Sequence, residues 1–242
     1  MTRNTLFWSL PYTVRQLLFK WQNQQEFKKL QTLRTQEPEK LSAPTFKPFI
    51  DNKCIFVHIP KVAGVSVGYS LFQRHTGNHT SISEYQMVFS QKEFKSFFKF
   101  TFVRNPWDRL LSAYLFLIGG GRNQGDKKWA DQHLSDFKSF DDFVLNWVSQ
   151  ENVNLGVHFK PQYLFVTNPG SMKLMVDFVG KFENIETDYQ VVKKKLGFGD
   201  DLKFENKTKG KSNDYQKHYS PKTQEIVANV YKEDIALFGY KF

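Results

Sequence analysis

Cys54-Ile-Phe-Val-His-Ile-Pro-Lys-Val-Ala-Gly-Val-Ser-Val-Gly68 decides how this chain folds. Ile55, Phe56, Val57 and Ile59 form a short apolar run rich in β-branched residues, the signature of a buried strand. Pro60 ends it, since proline cannot donate to a ladder. Lys61-Val-Ala-Gly64 makes a tight loop, and from Val65 or Ser66 the pattern turns helical, with Val67, Leu71 and Phe72 apolar. A strand, a lysine-bearing loop and a helix N-terminus make an anion site: the first helical N–H groups lack partners and the helix dipole favours negative charge there. A nucleoside-triphosphate loop would read G-x-x-x-x-G-K-[ST]. Here the first glycine is missing and the lysine precedes Gly64, so the loop is of another kind, or else a plain turn with a surface lysine.

A second unit of the same design follows. Phe97 to Val103 is apolar and β-rich, and it leads into Arg104-Asn-Pro-Trp-Asp-Arg-Leu-Leu-Ser112. Asn105 suits an N-cap and Pro106 the first helical position. Arg104 would close the strand at the carboxyl edge of the sheet, where open α/β folds bind ligands. Ser112 falls two turns into the helix, near the face of Arg109, and an arginine fork plus a hydroxyl grips phosphate well. The competing reading is a local ion pair of Arg104 with Asp108. Two anion sites on two such units imply a ligand with phosphates at both ends.

The remaining pattern alternates strands with helices, which predicts an α/β fold with a central parallel sheet flanked by helices. Ser81 or Ser83 would cap a short helix, and Ser139-Phe-Asp-Asp142 approximates a capping box for a helix through Trp147. Tyr163–Val166 and Met172–Phe182 read as further strands. Asn184 would cap the next helix, and Ser220-Pro221 starts the last one. Residues 1–48 look like a helical appendage and linker, with 49–242 the main domain. Thr13–Leu33 has helical spacing with basic residues between, which fits packing on the body, on a partner or peripherally on a membrane. Lys207, Lys209 and Lys211 form a basic loop that would cover a bound anionic ligand, attract an anionic partner or simply face solvent.

The 242 residues carry a formal charge of +10, which points to acidic partners. Aromatics make up 17% of the chain, with 25 Phe. Cys54 is the only cysteine, so an intrachain disulfide and a thiolate metal cluster are excluded. No apolar run reaches the length of a membrane span. The run Leu6, Phe7, Trp8 and Leu10 is interrupted by Pro11 and Arg15 and lacks a small-residue cleavage site. The expectation is a cytoplasmic location.

His58-Ile-Pro-Lys-Val-Ala-Gly-Val-Ser, followed about 40 residues on by Phe-Val-Arg-Asn-Pro-Trp-Asp-Arg-Leu-Leu-Ser-Ala-Tyr, resembles the sulfotransferases that use 3′-phosphoadenosine 5′-phosphosulfate (PAPS). The likeness is to the carbohydrate O-sulfotransferase branch related to chondroitin 4-O- and heparan sulfate 2-O-enzymes, with its bacterial members. His158-Phe-x-Pro-Gln, Asp177-Phe-Val-Gly-Lys-Phe-Glu and Asp234-Ile-x-Leu-Phe-Gly-Tyr resemble the same family, so the likeness runs from about residue 50 to the end. It implies a P-loop-kinase-like sulfotransferase fold. It also implies that Lys61, Ala63, Gly64, Val65 and Ser66 bind the 5′-phosphosulfate, and Arg104 and Ser112 the 3′-phosphate. The family usually has Thr where Val62 and Val65 stand here. Each missing hydroxyl removes about 1–3 kcal/mol of bonding to a charged group, so backbone N–H groups and Ser66 carry more of the grip.

Lys61 would stabilise charge growing on the leaving oxygen, and no metal is needed for that. The acceptor hydroxyl, on a glycan or another molecule, needs a base near neutral pH. His79 is the first choice, because the related heparan enzymes have a histidine in a similar place ahead of the arginine motif. His58, His158 and Glu84 are alternatives. Asp177 and Glu183 are expected to brace strand and helix ends. Nucleic acid is not an expected partner. The rival readings are a nucleotide kinase of related fold and a non-catalytic polyanion-binding protein.

Overall fold

Among the described residues three parallel strands form the sheet, β1 (Cys54–Val57), β2 (Phe98–Val103) and β3 (Phe178–Lys181), with β2 in the middle. Phe56 pairs with Phe100, and Phe100 with Phe178, so apolar residues run across the sheet in one row. The computed structural model describes residues 3–169, 171–203 and 214–242. Lys207, Lys209 and Lys211 lie outside the described residues.

In chain order the helices before β1 are α1 (Arg3–Ser9), α2 (Tyr12–Gln22), α3 (Gln24–Thr35) and α4 (Lys47–Asp51). Between β1 and β2 come α5 (Gly64–Phe72), α6 (Ile82–Val88) and α7 (Gln91–Ser96). Then follow α8 (Pro106–Ile118), α9 (Gln124–His133), α10 (Phe140–Asn146) and α11 (Tyr163–Val166). After β3 come α12 (Ile185–Leu196), α13 (Pro221–Val230) and α14 (Lys232–Phe238).

The chain divides into two compact units. The first comprises residues 1–59, 63–103 and 163–205 and holds the whole sheet. Phe46, Phe49, Tyr85 and Phe89 pack there in mutual ring contact, all fully buried. Burying each such ring stabilises by about 1.5–3 kcal/mol, and a well-placed ring pair adds about 0.5–1.5 kcal/mol. The strong aromatic bias of the composition is spent on this cluster and on its counterpart in the second unit. Ser81 and Ser90 begin α6 and α7 with complete capping boxes, closed by Glu84 and Glu93. Asp177 braces the sheet: its carboxylate accepts the Lys99 N–H at 2.8 Å, and its own N–H donates to the Lys99 carbonyl at 2.7 Å.

The second unit comprises residues 60–62, 104–162 and 206–242. Leu110, Leu111, Tyr114 and Leu117 of α8 pack with Phe143, Trp147, Phe159, Val227 and Tyr231 in one core. Asn105 caps α8 by accepting the Trp107 N–H at 3.1 Å, with Pro106 at the first position.

Four expectations change. Thr13–Leu33 is two helices, broken where Asn23 leaves helical geometry at ψ 52°. Tyr163–Val166 is a helical turn, not a strand: Thr167 returns both its N–H and its hydroxyl to the Tyr163 carbonyl. A four-residue apolar run cannot be assigned by periodicity alone. Met172–Phe182 supplies only the short β3, because Leu174 pairs back on Thr167 in an isolated antiparallel bridge. Asn184 stands at the N-cap of α12 without a side-chain cap bond.

Candidate active site

Within the second unit the loop lysine and the strand-end arginine meet. Lys61 is left-handed at φ 69°. Its carbonyl oxygen accepts a hydrogen bond from Arg104 Nη1 at 3.0 Å. Arg104 Nε donates to Asp108 Oδ2 at 2.6 Å, so the local ion pair weighed as a competing reading exists and, with the carbonyl, fixes the plane of the guanidinium. The backbone of Arg104 is held as firmly. Gln162 accepts its N–H at 2.9 Å and donates to its carbonyl at 2.8 Å. Gln162 is itself held by Asp234, fully buried on α14, which accepts its N–H at 2.8 Å. Ser112 is buried on α8.

Arg109 is fully buried and ties three backbone carbonyls together: Pro60 at 3.0 Å, His158 at 3.2 Å and Lys160 at 2.9 Å. It therefore sets the loop from which Lys61 projects. Lys61 Nζ sits over the Phe116 ring, 3.8 Å from its centre. Phe116 also packs on His158, whose Nε2 lies 3.3 Å from Asp126 Oδ1. Burial, then the nearby Arg104 and, less, Arg109, outweigh Asp126 and lower the Lys61 pKa to about 7. Crowded cations with a weakened ammonium are what an anion site looks like before its anion arrives.

Binding a phosphate there should restore the ammonium. At pH 8 phosphate monoesters are already dianionic, so one that binds there should do so with uptake of a proton by the protein. Affinity should then weaken by up to about tenfold per unit as pH rises above 7. Calorimetry in buffers of different ionisation enthalpy reads the uptake, and Lys61→Arg, which stays charged, should abolish it. In the ligand-free fold the sign is opposite. The folded pKa lies below the unfolded one, so Lys61 lowers stability below pH 7, and the penalty is relieved as pH rises from about 7 towards 10.5.

The first unit holds the other candidates. Ala63 stands at the N-cap of α5 in the left-handed region at φ 61° and makes no side-chain cap bond to the first turn formed by Gly64, Val65 and Ser66. That leaves this turn suited to an anion. Gly64 is required by packing. A Cβ built on it would overlap Cδ2 and Nε2 of His58, whose ring stacks on Phe56. His58 is thus a buried packing residue. Gly64→Ala should destabilise by about 1–3 kcal/mol. Adding His58→Ala should return part of that loss, so the two should not sum in thermal or denaturant melts. Simple additivity would contradict the packing.

His79 Nδ1 lies 3.1 Å from the His58 carbonyl oxygen. A carbonyl accepts only, so the proton belongs on Nδ1 and the lone pair on Nε2, the tautomer that a general base needs. Glu84 is a cap: its carboxylate accepts the Ser81 N–H at 2.7 Å and the Ser81 hydroxyl at 2.5 Å. Of the residues where hydroxyls are missing, Val62 is fully buried and Val65 half-buried.

Arg109, Gln162 and Asp126 were not singled out from sequence as site residues. Gln162 lies in the His158-Phe-x-Pro-Gln motif, which assigns it no role, and a buried arginine that bonds carbonyls leaves no spacing signal.

The sequence profile of the sulfotransferase family matches residues 45–241. An uncharacterized protein of Archaeoglobus fulgidus is 34% identical over 114 residues, 46% of this chain and 78% of its own length. Carbohydrate sulfotransferase 11 of Danio rerio is 26% identical over 187 residues, 67% of this chain and 52% of its own length. Carbohydrate sulfotransferase 14 of Homo sapiens is 26% identical over 159 residues, 55% of this chain and 42% of its own length. The chain thus spans about half the length of the carbohydrate sulfotransferases it matches. No solved structure matches it significantly.

Proposed function

Since the chain belongs to the sulfotransferase family, we propose that it transfers a sulfuryl group from PAPS to a hydroxyl of a carbohydrate. The observation that carries this reading is the bond from Arg104 to the Lys61 carbonyl, which sets side by side two cations from the two loop motifs. A nucleotide phosphorylated at both ends of its ribose suits such a pair.

PAPS supplies an activated sulfuryl group on a 5′-phosphate leaving group. Lys61, with the N–H groups of Gly64, Val65 and Ser66, holds the 5′ end. Lys61 also neutralises the charge that grows on the bridging oxygen as its bond to sulfur breaks. Arg104 and Ser112 hold the 3′-phosphate and so fix the nucleotide against rotation, which aligns the sulfur for in-line attack. His79 Nε2 takes the acceptor proton as the new O–S bond forms. Fixed cations and helix N–H groups suit such a loose, charge-separated transition state.

The test is transfer of labelled sulfuryl from PAPS to a panel of oligosaccharides and lipids, with ATP and magnesium as the control for phosphoryl transfer. Labelled oligosaccharide is expected. Label only on lipid, or phosphoryl transfer instead, would overturn the proposal. His79→Ala should lower kcat by about 10²-fold or more while nucleotide affinity holds. Near-normal turnover would remove His79 as the base and turn attention to the His158–Asp126 pair.

A further inference from the structure

Helix α2 has two opposite faces, and both carry large side chains. Its inner face is occupied. Tyr12 donates its hydroxyl to the Phe89 carbonyl at 3.0 Å, and Gln16 donates to the Gln86 and Phe89 carbonyls at 2.9 and 2.6 Å. Arg15 is buried against the Trp8 and Tyr12 rings. On the outer face, Val14, Leu17 and Trp21 recur at i, i+3 and i+7, a single stripe on the side away from Tyr12 and Gln16. Leu17 is 68% exposed and Trp21 71% exposed. Leu6 of α1 is also exposed, at 59%.

The charge around this stripe is one-sided. Residues 1–35 carry Arg3, Arg15, Lys20, Lys28, Lys29 and Arg34 against Glu26; of these Arg15 is buried on the inner face, Arg34 pairs with Glu93 at 2.8 Å and Lys29 with Glu26 at 3.3 Å. Lys20, Lys28 and Lys29 are exposed. A second copy would bring like charge against like charge, whereas an anionic surface complements it. Tryptophan and leucine on one face with lysines beside them suit the headgroup boundary of a bilayer. No helix among the described residues is long and apolar enough to cross a membrane.

We propose that the outer face of α2, with Val14, Leu17 and Trp21 inserted and the exposed lysines of α2 and α3 drawn to headgroups, docks this protein on an anionic lipid surface. Such docking requires neither PAPS nor the acceptor.

Cosedimentation of the full chain with vesicles tests it, comparing pure phosphatidylcholine with mixtures holding about one-third phosphatidylglycerol at low salt. Binding to the anionic vesicles alone is expected. The Leu17→Ser/Trp21→Ser variant should bind them about tenfold more weakly or worse, and Trp21→Ser alone should fall between. Because these side chains are exposed, both variants should keep the wild-type melting midpoint. Absence of binding to anionic vesicles would overturn the proposal. So would equal binding by the variants, which would assign the effect to the net charge alone. Self-association of the wild type that the double variant abolishes would also overturn it, by naming a second copy as the occupant.

Discussion

Lys61→Ala is expected to lower kcat for sulfuryl transfer by about 10³-fold, equivalent to ~4 kcal/mol of lost transition-state stabilisation. The ammonium lies among two arginines and one carboxylate, partly withdrawn from water, so its charge is poorly screened. Such a charge matters most where new charge appears, which here is the bridging oxygen. The loss should therefore fall on kcat more than on KM. Removing the side chain leaves the loop backbone held by Arg109 at Pro60 and by Arg104 at the Lys61 carbonyl, so the fold should persist. Lys61→Arg should recover part of the rate at high pH, where it remains charged. A kcat within threefold of wild type for the alanine variant would dismiss Lys61 from the chemistry.

Arg104→Lys is expected to lose about 10²-fold in affinity for adenosine 3′,5′-bisphosphate and little for adenosine 5′-monophosphate. The fork geometry that a planar guanidinium offers a phosphate is worth about 1.5–3 kcal/mol, and an ammonium does not reproduce it. Lysine is the informative choice because alanine would leave Asp108 with its buried partner removed, a penalty of about 3–5 kcal/mol that would cloud the reading. Equal losses for both nucleotides would place the defect elsewhere than the 3′ end. Gln162 should act through Arg104, because it holds both the N–H and the carbonyl of that residue.

Much of this was legible in the residues. The β1 loop and the β2 turn announce themselves through local rules: a β-branched run, a stop at Pro60 or a cap at Asn105, then helical spacing. The parallel sheet follows from their alternation. Ser81 and Ser139 cap as their hydroxyls and following acids suggest. The misses share a cause. Tyr163–Val166 is apolar and aromatic, yet a single bond set from Thr167 makes it helical, and four residues carry no period to reveal that. Leu174 is drawn out of β3 by a bridge to a residue seven positions earlier. In the sequence Arg109 marks only the helix face near Ser112, whereas in the fold it bonds three carbonyls and shapes the loop. Asp126 matters only because the fold brings it near His158 and Lys61, residues 32 and 65 positions away.

A crystal structure with adenosine 3′,5′-bisphosphate bound tests the central claim most directly. The account predicts one phosphate within hydrogen-bond reach of Lys61 Nζ and the first turn of α5, and the other against the Arg104 guanidinium. A nucleotide bound elsewhere, or one that touches only one of those two cations, would contradict it.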